Sequence, residues 1–265
     1  MLLWRTISTL VLAPLVLLLL WYGNALVFVS TMAAVAARLL YEWYLLRSPR
    51  QWLAYLISTG VAWTLLVTLF VGRTDLIVTE ISLLLLLLLS WRLWSYQPGQ
   101  VVLTDPIDRS IIGLIYCVVP LLQMNTLHAL PQGKEWLLYL LMVVWGTDIG
   151  AYLVGRLMGR HKMAPVISPG KSWEGACGGL VAGALAGWSI VPLLSLTLAT
   201  ESVMMLSIVV SVASQVGDLI ESLFKREAGV KDSRALIPGH GGLLDRLDSL
   251  LFAVPVLFVY LMVLR

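Results

Sequence analysis

Apolar runs long enough to cross the roughly 30 Å hydrocarbon core of a bilayer as helix recur along almost the whole chain. Of its 265 residues, 59% are hydrophobic and only 12% charged, and the mean hydropathy is +0.90. A water-soluble globule cannot hide this much apolar surface, so the chain reads as an integral membrane protein. The pattern predicts an all-α, polytopic helical bundle with about nine transmembrane helices. They run from Ile7 to Tyr22, Ala25 to Leu46, Trp52 to Gly72, Leu76 to Trp94, Ser110 to Leu127, Trp136 to Arg156, Trp173 to Leu196, Val203 to Phe224 and Ser249 to Leu264.

With the N-terminus in the cytoplasm, these spans sort the cations cleanly. Of the 18 Lys and Arg residues, only Arg73, Lys134 and Arg265 fall outside, a positive-inside asymmetry that fixes the expected orientation. Residues 156–173 and 225–248 then become cytoplasmic loops. The N-terminal run follows Arg5 directly and lacks a small-residue cleavage pattern, so it is expected to be a retained helix rather than a signal peptide. Cys117 and Cys177 each lie within an apolar span, which argues against a disulfide or metal framework. The net charge of +3 is modest, and its distribution favours anionic lipid headgroups over nucleic acid.

The sequence divides at about residue 100. Residues 1–100 carry few polar groups and are expected to pack and to contact lipid, with Arg38, Glu42 and Trp43 as interfacial anchors. Asp105, Pro106 and Asp108 read as a cytoplasmic turn. Residues 101–265 hold the chemistry. Asp148 stands inside an apolar span, where a carboxylate costs roughly 2.5–3.5 kcal/mol on insertion scales, so a wet or cation-bearing interior is expected around it. In the following loop, Pro169 and Gly170 are expected to turn. Ser172 should cap the next helix, with Ser168 and Lys171 beside its positive end. Further on, Ser211, Ser214, Gln215, Asp218, Glu221, Ser222 and Lys225 recur at spacings of three and four, which places them on one helix face.

The stretch from Ser222 to Asp248 concentrates charge: its 27 residues carry nine of the chain's 33 charges. Cations (Lys225, Arg226, Lys231, Arg234, Arg246) alternate with carboxylates (Glu227, Asp232, Asp245, Asp248) around Pro238-Gly239-His240-Gly241-Gly242. These are parts suited to holding a polyphosphate and its metal ion. Asp245 and Asp248, three residues apart, share a face near a helix N-terminus.

Taken together, Ser222, Lys225-Arg226, Lys231-Asp232, Pro238, His240-Gly241-Gly242, Asp245-Arg246 and Asp248 resemble the signature of the phosphatidate cytidylyltransferases, or CDP-diacylglycerol synthases. The segments Ser168-Pro169 and Lys171 to Gly175, and Asp148-x-Gly-Ala-Tyr, extend the resemblance over roughly the C-terminal half. Arg234 stands where that family usually has a small residue, and Gly170 and Ser172 where it more often has Lys and Thr. The resemblance implies CTP and phosphatidate as substrates, Mg2+ as cofactor and room for a second cation. It also implies an inner-membrane location with cytoplasmic catalytic loops, and it is compatible with a homodimer.

On that reading Asp218 and Asp245 hold the metal, and Asp248, Asp148 and Asp232 lie nearby. Lys225, Arg226 and Lys231 clamp phosphates, Ser222 and His240 hydrogen-bond them, and Lys171 closes from the preceding loop. The Gly241-Gly242 amides, Ser168 and Arg246 complete the substrate contacts. Two alternatives share some of these features. One is a related CTP-using lipid enzyme, a polyprenol kinase or a CDP-archaeol-type synthase. The other is a secondary transporter, which the clustering of charge at one surface rather than at the membrane midplane disfavours.

Overall fold

The computed structural model describes residues 13–46, 106–194, 196, 198–230 and 242–263, with isolated helical residues between 55 and 94. Seven helices are described: α1 (Ala13–Tyr22), α2 (Ala25–Leu45), α3 (Pro106–Ala129), α4 (Gly133–Met158), α5 (Trp173–Ile190), α6 (Thr200–Glu227) and α7 (Leu244–Val263). Five of them, α2 to α6, contain stretches long and apolar enough to cross a membrane. The protein is therefore a membrane-embedded helical bundle. The expected count of about nine is not reached among the described residues; the spans expected between Trp52 and Trp94 lie almost wholly outside them.

Helix α5 explains how the bundle closes. Its sequence is rich in small residues, and Gly175, Gly179, Gly183 and Gly187 recur every four residues along one buried stripe. Against them pack Thr147 and Val143 of α4 and Ser211 and Ser207 of α6. Removing side-chain bulk lets helix backbones approach, which is what drives association where no hydrophobic effect separates helix from lipid. From the other side, Gly146 and Gly150 of α4 meet Ala186, Ala182 and Gly178 of α5. The α4–α5 interface is accordingly the most extensive among the described residues. Hydroxyls pin the third helix: Thr147 Oγ1 donates to Ser211 Oγ at 2.8 Å, and Tyr139 and Ser207 hydroxyls pair at 2.7 Å.

Between α4 and α5 the chain forms an antiparallel hairpin, β1 (Lys162–Ala164) with β2 (Ser168–Ser172). Pro169 and Gly170 thus lie in a strand, and the turn falls at residues 165–167. Pro165 lies in the turn and Pro169 just beyond it, and the strands pair at Ala164 with Ser168 and Lys162 with Ser172. Ser172 does cap α5, accepting from Gly175 N at 3.1 Å. Pro106 and Asp108, expected in a turn, begin α3. Proline at the first helical position loses nothing, because its missing N–H would have had no intrahelical partner.

A second correction concerns Glu42. It is not an interfacial anchor but 1% exposed, with neighbouring Trp43 at 2%. Trp43 packs edge-on against Phe224 of α6 and tilted against Tyr116 of α3. A Cβ on Gly113 would collide with its indole.

A bulky residue at position 150 should wedge α4 from α5, because a Cβ there already meets Ala182 Cβ and comes within 2.7 Å of the Gly178 carbonyl oxygen. Gly150→Leu is expected to cost about 1–3 kcal/mol, read as a lower Tm in detergent. Gly170→Ala, where nothing lies within 4 Å, should leave Tm unchanged.

Candidate active site

The polar stripe on α6 faces protein along its length. Gln215 Nε2 donates to the Ala176 carbonyl of α5 at 3.3 Å. One turn on, Asp218 forms an ion pair with Lys171 of β2 at 2.8 Å. Two turns further, Lys225 reaches across to Asp245 of α7 at 2.8 Å and also pairs with Glu221, one turn back on its own helix. Two distant sequence blocks are thereby fastened to α6 at its C-terminal end.

Two charge clusters result. In the first, Asp148 of α4, Asp218 of α6 and Asp248 of α7 act on one another electrostatically, with Lys171 among them. The Ser249 side chain reaches Asp148, and Asp248 accepts from the Ser249 amide at 2.7 Å. Asp248 is 8% exposed. In the second, the Lys225 ammonium lies between Glu221 and Asp245, and Asp245 Oδ2 accepts from the Gly242 amide at 2.7 Å. Glu221 is 1% exposed. A carboxyl group so buried needs a cation beside it or a proton on it, and Lys225 is the cation at hand.

The hairpin is held at both ends. Arg226 Nε donates to the Ile167 carbonyl at 3.0 Å, fixing the turn to the end of α6. Glu174, in the first turn of α5, accepts from the backbone amides of Arg160 and His161 at 3.1 and 3.2 Å and pairs with the His161 ring. Lys171 is thus carried on a strand braced from two directions. Ser168 stands at the start of that strand, half-buried, and Ser222 is buried on α6. Arg246 is exposed on the first turn of α7.

Of the residues expected from sequence, the fold brings together Asp148, Lys171, Asp218, Ser222, Lys225, Arg226, Gly242, Asp245 and Asp248, with Ser168 beside them on the hairpin. Lys231, Asp232, Arg234, His240 and Gly241 lie outside the described residues. Asp218 and Asp245, paired in the sequence reading, sit in adjacent clusters, each with its own lysine. The sequence reading passed over Glu221 and Glu174 as site residues. Both carried a signal: Glu221 precedes Lys225 by four residues, the favourable i, i+4 arrangement, and Glu174 follows a helix cap, where a carboxylate meets unpaired amides.

Within these clusters five carboxylates face two lysines. The donor set is all hard oxygen, which suits a divalent cation such as Mg2+. No three acids are grouped as ligands of one ion among the described residues. A Mg2+ ion is commonly held by one or two carboxylates, with substrate phosphates and water completing its shell, so a site of this kind does not need three acids around one ion.

A bundle of apolar helices with clustered carboxylates and lysines at one end defines a membrane-embedded protein built to handle charged groups beside lipid. The sequence comparisons make this specific. The profile of the cytidylyltransferase family matches residues 3–264, and the chain belongs to that family. It is 35% identical to the phosphatidate cytidylyltransferase of Haemophilus influenzae, over 95% of both chains. It is also 35% identical to that of Brucella suis, over 97% of this chain and 92% of the relative. The enzyme of that name from Staphylococcus saprophyticus is 45% identical over 130 residues, where the match spans about half of each protein.

Replacing Lys225 with methionine strands Glu221 and Asp245. Lys225→Met should cost roughly 3–5 kcal/mol, the penalty for removing one partner of a buried pair, seen as a lower Tm. Glu221→Gln in the same background should recover part of that loss, as measured by a double-mutant cycle.

Proposed function

We propose that this chain is a phosphatidate cytidylyltransferase: it transfers CMP from CTP to phosphatidate, giving CDP-diacylglycerol and pyrophosphate. The observation that carries the reading is the convergence of three separated blocks, around Asp148, Lys171 and Ser222 to Asp248, at one end of the bundle. Near-full-length identity to enzymes of that name supports it.

The reaction needs no strong general base. A phosphate monoester is already largely ionised near neutral pH. One of its oxygens attacks the α-phosphorus of CTP in line, a new P–O bond forms, and the bond to the β-phosphate oxygen breaks to release pyrophosphate. Catalysis is therefore positioning and charge neutralisation. Lys171 sits on a braced strand opposite Asp218, so Asp218 would hold the metal while Lys171 meets a phosphate. Lys225 fixes Asp245 against α6 through one carboxylate oxygen, and the other accepts from the Gly242 amide. Arg226 sets the hairpin turn and, with Lys231, contributes positive potential for the phosphates. Ser168, Ser222, His240, Gly241 and Arg246 complete the contacts around them. Mg2+, held by Asp218 and Asp245, supplies neutralisation of charge on the phosphates when bound, and Asp148, Asp232 and Asp248 leave room for a second cation.

The diacylglycerol chains stay in the bilayer while the headgroup reaches the site. The cation asymmetry of the sequence supports a catalytic end facing the cytoplasm, where the nucleotide is, and the family resemblance supports an inner-membrane location.

The test uses purified protein in detergent micelles with phosphatidate, Mg2+ and CTP labelled at either the α or the γ phosphate. Label from α-CTP should enter lipid and label from γ-CTP should leave as pyrophosphate. Asp245→Asn should lower the rate by about 10² or more. Lipid carrying γ label instead would identify a kinase and overturn the reading.

A further inference from the structure

Glu42 is the one buried carboxylate contributed by the N-terminal helices among the described residues, and it serves the other end of the chain. Its two oxygens accept from consecutive backbone amides at the start of α7: Leu243 N at 2.9 Å and Leu244 N at 2.8 Å. Arg38, one turn earlier on α2, pairs with Oε1 at 2.8 Å. The first amides of a helix have no partners within it, and a carboxylate there also meets the positive end of the helix dipole. Glu42 thus caps α7 from another helix, across some two hundred residues of sequence.

What α7 begins with gives this its consequence. Leu244 is followed directly by Asp245, which holds Lys225, and then by Asp248. The Gly242 amide just before the cap donates to Asp245. A small displacement of these amides therefore displaces the carboxylates of both charge clusters. Helix α2 cannot easily follow such a displacement. Trp43, adjacent to Glu42, is wedged against Gly113, Tyr116 and Phe224, and Phe224 adjoins Lys225. The cap and the lysine that Asp245 meets are thus referenced to the same packed aromatic group.

We infer that Glu42, neutralised by Arg38, is a positioning residue for the transferase reaction: it holds the start of α7 so that Asp245 and Asp248 face the substrates. Glutamine at this position tests the idea with little change in size. It can accept from one amide, but its NH₂ group turns a donor toward the other, and the charge that Arg38 and the helix end require is gone. The inference rests on the function proposed above, so the experiment carries a readout that does not depend on turnover.

Hydrogen exchange is compared for the intact protein and Glu42→Gln in detergent, following the peptide that contains Leu243 and Leu244. Kinetics are measured on the same samples, with Leu39→Ala, a buried substitution on α2, as the packing control. The expected result is faster exchange at the start of α7, a fall in kcat of about 10- to 100-fold with KM for CTP nearly constant, and a higher Mg2+ concentration at half-maximal rate. Leu39→Ala should lower Tm without moving the Mg2+ dependence. Parental exchange at Leu243 and Leu244, or parental kcat and Mg2+ dependence in Glu42→Gln, would overturn the inference. So would a loss that merely follows Tm as in Leu39→Ala. An inactive parent would sink the assigned reaction instead, and the exchange comparison would still decide whether Glu42 holds α7.

Discussion

The ammonium of Lys225, set between Glu221 and Asp245, is the contact on which the geometry of the site depends. An ionised group at the edge of a hydrocarbon layer is stable only with a counter-charge at hand. Glu221 has almost no solvent exposure, so it cannot spare its lysine, and the lysine in turn fixes the carboxylate of α7. One cation thereby sets the register of two helices at the end where they must cooperate. The same logic two turns earlier joins Asp218 to Lys171 and so ties the hairpin to α6.

Those ionic contacts work because the apolar part of the molecule has already set the distances. The glycines of α5 bring α4 and α6 close enough for the hydroxyls of Thr147 and Ser211 to meet. Neighbouring Asp148 on α4 is then brought within electrostatic range of Asp218. In a membrane, where packing rather than solvent exclusion joins helices, the small-residue stripe is the means by which residues distant in sequence become a site.

The sequence revealed more of the site than of its scaffolding. The apolar runs marked α2 to α6 to within a few residues, because hydropathy reports the solvent a helix lies in. The three- and four-residue spacing on α6 revealed one polar face, and charge density marked the stretch ending at Asp248. What the sequence concealed depends on partners remote in the chain. Nothing near Pro169 signals that its strand will pair with residues 162–164, since a two-stranded hairpin is decided by tertiary support. Glu42 looked like an interfacial residue because its neighbours, Arg38 and Trp43, are those that settle at headgroup depth. Only the placement of Leu243 and Leu244 against it reveals the cap.

The charge balance of the site constrains how the proposed reaction can run. Among the described residues, Asp148, Asp218, Glu221, Asp245 and Asp248 share two lysines, yet both proposed substrates are anions. Carboxyl groups in such excess over lysines offer the phosphates little positive charge, so neutralisation has to come from cations that enter with them. The carboxylates are therefore better understood as recruiting positive charge than as meeting the substrates themselves. Lys171, paired to Asp218 on the outer side of the site, could then turn to a phosphate where a metal is held by the carboxylate, while Lys225 stays between Glu221 and Asp245. A rigid frame is needed for such an exchange, since the gain from neutralising a developing charge depends on groups that do not have to reorganise. The bracing of the hairpin by Arg226 and Glu174, and of α7 by Glu42, supplies that frame from three different helices.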